Sequence, residues 1–193
     1  MKATLCLLAD FDAENFCRDF MVEASERSHV GVAAGNLPRH ISLGFPYDVT
    51  DWESYLEYAK SLAKWIKPVS VKLTDMVCSP ISDVTGSYFF KFDEKFGLDE
   101  LRRKVSKDLN SKLGVDVSSS EKVFGQRNIT LGFGSAPFSS YEEYVGFVDK
   151  NRFVGKELGF DQLGVFYYDS DKITATSFIC CRRFRLNSLG GCL

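Results

Sequence analysis

The chain has little histidine, two residues in 193, and few methionines (three), tryptophans (two) or prolines (five). Two imidazoles supply a zinc centre poorly, so no metal site is expected, and no motif asks for a cofactor. There is no excess of charge of one sign. Lys plus Arg number 24 against 26 Asp plus Glu, a formal charge of -2. The net field therefore does not draw in a long nucleic-acid duplex, while a short nucleotide or an RNA end in a local polar cleft stays open. A disulfide pattern is also missing. The six cysteines, Cys6, Cys17, Cys78, Cys180, Cys181 and Cys192, form no C-x-x-C pair and read as free thiols of a reducing, cytoplasmic compartment. Cys6, Cys17 and Cys180 lie in apolar runs, as buried small hydrophobes do. No stretch approaches ~18 uncharged apolar residues, so no membrane-spanning helix and no membrane partner are expected. The opening MKATLCLLADFDAENF carries one Lys, and its short apolar run meets Asp10 and Asp12. It reads as a first strand, not a signal peptide. No linker or low-complexity run divides the chain, so residues 1–186 read as one domain and 187–193 as a loose tail.

What is present suits a buried core: 45% hydrophobic residues, 26% charged, with 17 Phe and 8 Tyr. The patterning predicts a strand over 3–9, then an Asp12-capped helix with Phe16, Phe20 and Ala24 at helical spacing. A strand over 39–45 is stopped by Pro46, and Thr50 can cap a helix over 51–67. Strands over 69–77 and 87–92 precede a helix over 98–113 that Gly114 ends. A polar loop, 118–121, leads to a strand over 128–133, and Ser139 or Ser140 can cap a short helix through Phe147. Strands over 162–168 and 173–181, joined by a turn at Asp169-Ser170-Asp171, close the pattern. Helices and strands alternate in each half, which predicts a mixed α+β domain.

The most informative feature is an internal repeat. Arg39-His40-Ile41-Ser42-Leu43-Gly44-Phe45 recurs as Arg127-Asn128-Ile129-Thr130-Leu131-Gly132-Phe133, five of seven positions being identical. Two copies half a chain apart suit a duplicated two-lobed fold, whereas solenoid repeats recur at ~20 to 50 residues in three or more copies. In a strand, residues i and i+2 share a face ~6.6 Å apart. His40 then projects with Ser42, and Asn128 with Thr130, while Ile41, Leu43, Ile129 and Leu131 face an apolar layer.

Paired H-x-[ST]-hydrophobic strands are the signature of the two-histidine (2H) phosphoesterase superfamily, the 2'-5' RNA ligase and cyclic phosphodiesterase-like proteins, and the chain resembles that family over about residues 3–186. The resemblance implies two pseudo-symmetric α+β lobes, each with an antiparallel sheet and flanking helices, and an active cleft between them. It also implies a metal-independent hydrolase acting on nucleotide or RNA phosphodiesters: 2',3'-cyclic phosphates, 2'-5' linked oligoadenylates and related nucleotides or RNA ends. In such a cleft one histidine takes a proton from the attacking hydroxyl or water, the other protonates the leaving oxygen, and the two hydroxyls hold phosphoryl oxygens. His40, Ser42 and Thr130 match these positions, and Asn128 stands where the second histidine belongs. A carboxamide hydrogen-bonds but moves no proton near neutral pH. A natural pseudoenzyme that binds nucleotide or RNA ends without catalysis, an engineered change and an enzyme working on one histidine are all compatible with Asn128.

Other residues receive plainer readings. His29 reads as a surface residue. Strict alternation turns Arg39 and Arg127 away from the His40 face, so neither is taken as a phosphate ligand. Tyr47, just past the first motif, and Tyr88 and Phe90, which with Phe92 share a strand face, are candidates for substrate contact, since base stacking on aromatics is worth ~1 to 3 kcal/mol. Core packing competes for at least two of the three strand aromatics.

Overall fold

The computed structural model describes residues 1–31, 37–82, 84–168 and 179–187, and only the backbone of Ser120 and Glu121. Strand β1, Lys2–Ala9, is buried along nearly its whole length. Helix α1, Phe11–Ser28, follows at once. Its N-cap is Asp10, whose carboxylate accepts from the Ala13 amide, so the cap lies two residues before the Asp12 that the sequence suggests. Asp12 instead sits in the first turn beside Glu14, where negative charge suits the helix dipole. His29, exposed as expected, closes α1 as a left-handed C-cap at φ 55°.

The first motif forms only a short strand, β2 (His40–Ser42), and Tyr47–Asp48 form β3. Helix α2, Trp52–Trp65, is capped by Asp51, not Thr50, through the Ser54 amide. Strands β4 (Val69–Pro80) and β5 (Gly86–Glu94) make a long hairpin, and helix α3 spans Leu98–Leu113 with Gly114 left-handed at its end. A 3-10 turn, Ser120–Val123, occupies the polar loop. Strand β6 is Asn128–Phe133, and helix α4, Phe138–Phe147, starts at Pro137 with no side-chain cap, so neither Ser139 nor Ser140 caps it. Strand β7, Glu157–Tyr168, is five residues longer at its start than the apolar pattern suggests, and β8 is Ile179–Arg185. The turn at 169–171, residues 173–178 of the last expected strand, and Cys192 lie outside the described residues. Asn187, assigned to the tail from sequence, donates its amide to Ile66 O.

All the strand pairings are antiparallel, in the order β2-β1-β7-β4-β5-β6, with β3 also on β1 and β8 also on β7. The mixed α+β reading holds. Among the described residues, two groups of strands are hydrogen-bonded to each other where Val69 to Lys72 of β4 meet Phe160 to Glu157 of β7. β2 and β6 end the order, yet the two strands contact each other, so the sheet curls its motif strands together. Helix α1 packs against α4 and β6, crossing from the first half of the chain to the second. There Phe20 meets Phe90 edge-on at 5.1 Å, and Phe90 meets Phe153 at 5.1 Å. Aromatic pairs of this geometry add ~0.5 to 1.5 kcal/mol beyond the area they bury.

The repeat is built alike in both halves. A Cβ on Gly44 would collide with the Tyr47 hydroxyl and stand 2.7 Å from Tyr47 Cε2, and one on Gly132 would stand 2.7 Å from Tyr88 Cε1. Each motif glycine therefore lies on a tyrosine ring that leaves no room for a side chain. Each motif arginine is likewise held by an acid in the first turn of the preceding helix. Arg39 Nε is 4.0 Å from Glu14, and Arg127 Nη2 is 3.2 Å from Asp99.

Candidate active site

β1 carries the first motif into position. Leu8 pairs with His40 and Cys6 with Ser42, so these four share one face, while Ile41 and Leu43 on the other are fully buried. The His40 ring is edge-on to Phe166 at 4.5 Å between centroids, and its Nδ1 is 2.9 Å from Pro38 O. A carbonyl can only accept, so Nδ1 carries the proton and Nε2 is left with its lone pair. Burial pushes the imidazole down to about 4, with the Arg39 charge adding to it, against the Pro38 hydrogen bond. His40 is thus neutral near pH 7, with one nitrogen fixed as donor and the other free to accept.

The second motif lies on β6. Thr130 pairs with Phe89 and Asn128 with Lys91, while Ile129 and Leu131 are buried on the far side. The inward and outward alternation expected of both motifs is present. A cavity of about 380 Å³ is lined by His40, Ser42 and Thr130 together, which the structure brings to one place from both halves. Asn128 is half-buried on the same face of β6 as Thr130, one step beyond that lining.

Two buried guanidinium groups tie the motifs across the cleft. Arg39 Nη1 donates to Thr130 O at 3.2 Å and Leu131 O at 2.9 Å, and Nη2 donates to Leu37 O. Arg102 of α3 reaches the other way, from Nε to Ser42 O at 3.0 Å and from Nη1 to Gln126 O at 2.9 Å. Both side chains are 2% exposed. Asp99 binds Arg102 and Arg127. Burial alone would raise its carboxyl, but hydrogen bonds from Arg127, Arg102 and the Gly125 amide hold it at about 2. The alternation argument fails for Arg39, which does reach the cavity wall, because it precedes the first residue of β2 and is not bound by the strand's parity. Its guanidinium is nonetheless occupied by backbone carbonyls.

The three aromatic candidates are corrected by the structure. Tyr47 is 2% exposed, Tyr88 1% and Phe90 0%, and none lines the cavity. Tyr47 and Tyr88 fill the space beneath the motif glycines, and Phe90 belongs to the cluster with Phe20 and Phe153. The parity of β5 decides this: Tyr88, Phe90 and Phe92 are buried, whereas Ser87, Phe89 and Lys91 are half-buried on the opposite face. Phe45, Phe133 and Phe166 are the rings that line the cavity, with Lys122, whose Nζ lies 4.7 Å from the Phe45 ring. Phe45 and Phe133 are the last residues of the two repeats, so the repeat itself carried the signal. Lys122 and Phe166 had no comparable mark.

Among the described residues, no three His, Cys, Asp or Glu side chains gather as a metal site would need, and no helix is long and apolar enough to cross a membrane. No protein-family model matches the chain, and no curated protein matches it in sequence. Solved structures do match. The protein TT0787 of Thermus thermophilus superimposes with a TM-score of 0.59 at 13% identity, covering 97% of this chain and 98% of that one. LigT of E. coli, solved in complex with 3'-AMP, superimposes with a TM-score of 0.53 at 12% identity, again over 97% and 98%. At these identities the likeness is one of fold. The chain shares its mixed α+β, antiparallel-sheet fold with these two proteins, which is the fold class that the patterning of the sequence predicts.

Proposed function

We propose that this chain is a 2H-type phosphoesterase of the cytoplasm, a metal-independent phosphodiesterase acting on nucleotide or RNA phosphodiesters, either 2',3'-cyclic phosphates or 2'-5' linkages. The observation that carries the reading is the shared cavity of His40, Ser42 and Thr130 with the His40 tautomer set by Pro38. In this reading the Nε2 lone pair accepts a proton from the attacking water, and the Ser42 and Thr130 hydroxyls donate to the nonbridging phosphoryl oxygens. Phe45, Phe133 and Phe166 give the base or ribose an apolar wall, and Lys122 offers a cation to a flanking phosphate. A nucleotide partner is supported by the fold neighbour that holds 3'-AMP. The five described cysteines are free thiols, which suits a reducing compartment.

Asn128 favours a second reading, a binding module for nucleotides or RNA ends that has lost its chemistry. The two separate on turnover. The purified chain is offered 2',3'-cyclic nucleotides, 2'-5' oligoadenylate and cyclic dinucleotides, with and without a chelator. Hydrolysis of one of them that persists in chelator and drops ~10² to 10⁴-fold in His40→Ala is expected. Binding without turnover across the panel would favour the module, and activity restored only by a divalent ion would overturn the mechanism.

A further inference from the structure

Asn128 leaves the leaving oxygen without a proton donor, yet the strand beside it carries a cation at the same level. Lys91 is the direct cross-strand partner of Asn128, and Phe89 that of Thr130. Directly paired residues of an antiparallel sheet point to the same face with Cβ atoms ~4.5 to 5.5 Å apart. Ser87, on the same face of β5, lines the cavity with Thr130, so that face is the one turned towards the cleft. The Lys91 ammonium does not point away along the strand. Its Nζ lies 5.0 Å from the centroid of the Phe89 ring, which brings it from the level of Asn128 towards that of Thr130. Lys91 is half-buried, and the Phe89 ring is its one side-chain partner among the described residues. Its ammonium protons are therefore not committed to a carboxylate. Lys91, like Asn128, stands one step beyond the cavity lining, and a lysine stem of four carbons with a mobile head can swing from the Phe89 ring towards a phosphate held at Thr130.

We propose that Lys91 is the second catalytic group of this cleft, the proton donor to the leaving oxygen in the place a histidine would hold. The inference rests on the phosphodiesterase reading above. The oxygen of water bonds to phosphorus as its proton passes to His40 Nε2. The bond from phosphorus to the leaving ribose oxygen breaks, its electron pair stays on that oxygen, and the oxygen takes a proton from the Lys91 ammonium. His40 is then imidazolium and Lys91 a neutral amine. Transfer of one proton from His40 to Lys91 through solvent restores both, and the net change is one water added across one phosphodiester bond. Asn128 keeps a hydrogen bond to the same oxygen without moving a proton.

The test compares leaving groups in the full chain. In Lys91→Met, turnover of whichever 2',3'-cyclic or 2'-5' substrate the wild type cleaves is expected to fall ~10²-fold, as loss of a general acid does. Turnover of a nucleoside p-nitrophenyl phosphodiester is expected to be nearly unchanged, because p-nitrophenolate leaves without protonation. Arginine keeps the charge but does not give up its proton, so Lys91→Arg is expected to stay as slow as Lys91→Met on the ribose leaving group. Asn128→His is expected to rescue Lys91→Met more than it accelerates the wild type, since two donors to one oxygen are not additive. Equal losses on both kinds of leaving group, or full activity in Lys91→Arg, would overturn the proposal, the first showing a role in folding or binding and the second a role of charge alone. A wild type that His40→Ala silences while Lys91→Met leaves it untouched would overturn the role of Lys91 and spare the phosphodiesterase reading. A wild type inert on every substrate would remove both.

Discussion

The two motif strands share their framework and differ in chemistry. In each, a glycine lies on a tyrosine, an arginine meets an acid from the preceding helix, and a terminal phenylalanine lines the cavity. In the first, a histidine is held by Pro38 O and Phe166, with its free nitrogen available as a base. In the second, an asparagine stands beside a lysine. The parts kept in both copies are those that packing demands, because a methyl group on either glycine would collide with a ring. The part that changed is a half-exposed side chain whose replacement disturbs no core. The same scaffold therefore carries a histidine in one copy and an asparagine in the other without rearrangement.

The strongest way to break the comparison is to make the two copies chemically alike. In a Lys91→Met background, Asn128→His is expected to raise turnover of a cleaved 2',3'-cyclic or 2'-5' substrate by up to the ~10² to 10⁴ that a positioned acid-base group contributes, with binding changed far less. Steady-state kinetics with a binding isotherm on the same substrate checks this. No gain in a folded, nucleotide-binding variant would show that the second copy lacks more than an imidazole.

Next comes the difference between the two arginines. Arg39 is 2% exposed and donates to three carbonyls, whereas Arg127 is 26% exposed and pairs with Glu94 at 3.0 Å and Asp99. Arg39→Met is expected to destabilise the fold by ~3 to 5 kcal/mol, the usual cost of removing one partner of a buried charge pair. Arg127→Met is expected to cost less, because water can replace part of what it loses. Denaturant unfolding of both variants measures the gap, and equal losses would show that the cross-cleft ties carry no special weight.

A smaller effect tests the shared framework. Gly44→Ala and Gly132→Ala are each expected to cost ~1 to 3 kcal/mol by overpacking, with Gly44→Ala the worse because its Cβ also collides with the Tyr47 hydroxyl. Thermal melts of Gly44→Ala in a Tyr47→Phe background sharpen the point, since removing the hydroxyl should recover part of the loss.

The smallest effect is one of pH. Burial holds His40 at about 4, so the acid limb of kcat/KM, which reports the free enzyme, is expected near pH 4 instead of near the ordinary ~6.5. A bound phosphate anion favours imidazolium, so the limb of kcat is expected at higher pH than that of kcat/KM. The same depression bears on stability. The unfolded chain binds this proton as pH falls below ~6.5 and the folded chain resists it down to about 4, so His40 contributes stability that is lost across that window. Coincident acid limbs for kcat and kcat/KM would show that His40 does not face the phosphate.

Most of the elements, and the paired motif strands that carry the candidate site, were legible in the sequence alone. Helix α3 spans Leu98–Leu113, ended by Gly114, and β6 spans Asn128–Phe133, as the patterning predicts, because helical periodicity, a glycine stop and strict alternation are local signals. The repeat singled out His40, Ser42 and Thr130, since a polar i, i+2 pair is common in half-buried strands but its recurrence at matching places in both halves is not, and the three line one cavity. Caps were less legible: Asp10 and Asp51 lie one or two residues from the expected positions, where several short polar residues compete for the same amides, and Pro137 starts α4 two or three residues early with no side-chain cap. Only the tertiary structure decided which face of β5 looks into the cleft, because an aromatic-rich strand reads equally well in either parity until helices α1 and α4 cover one side. That choice sent Tyr88 and Phe90 to the core and Lys91 to the side of Asn128. It rests on where separate stretches of chain meet, and no local pattern in the sequence encodes it.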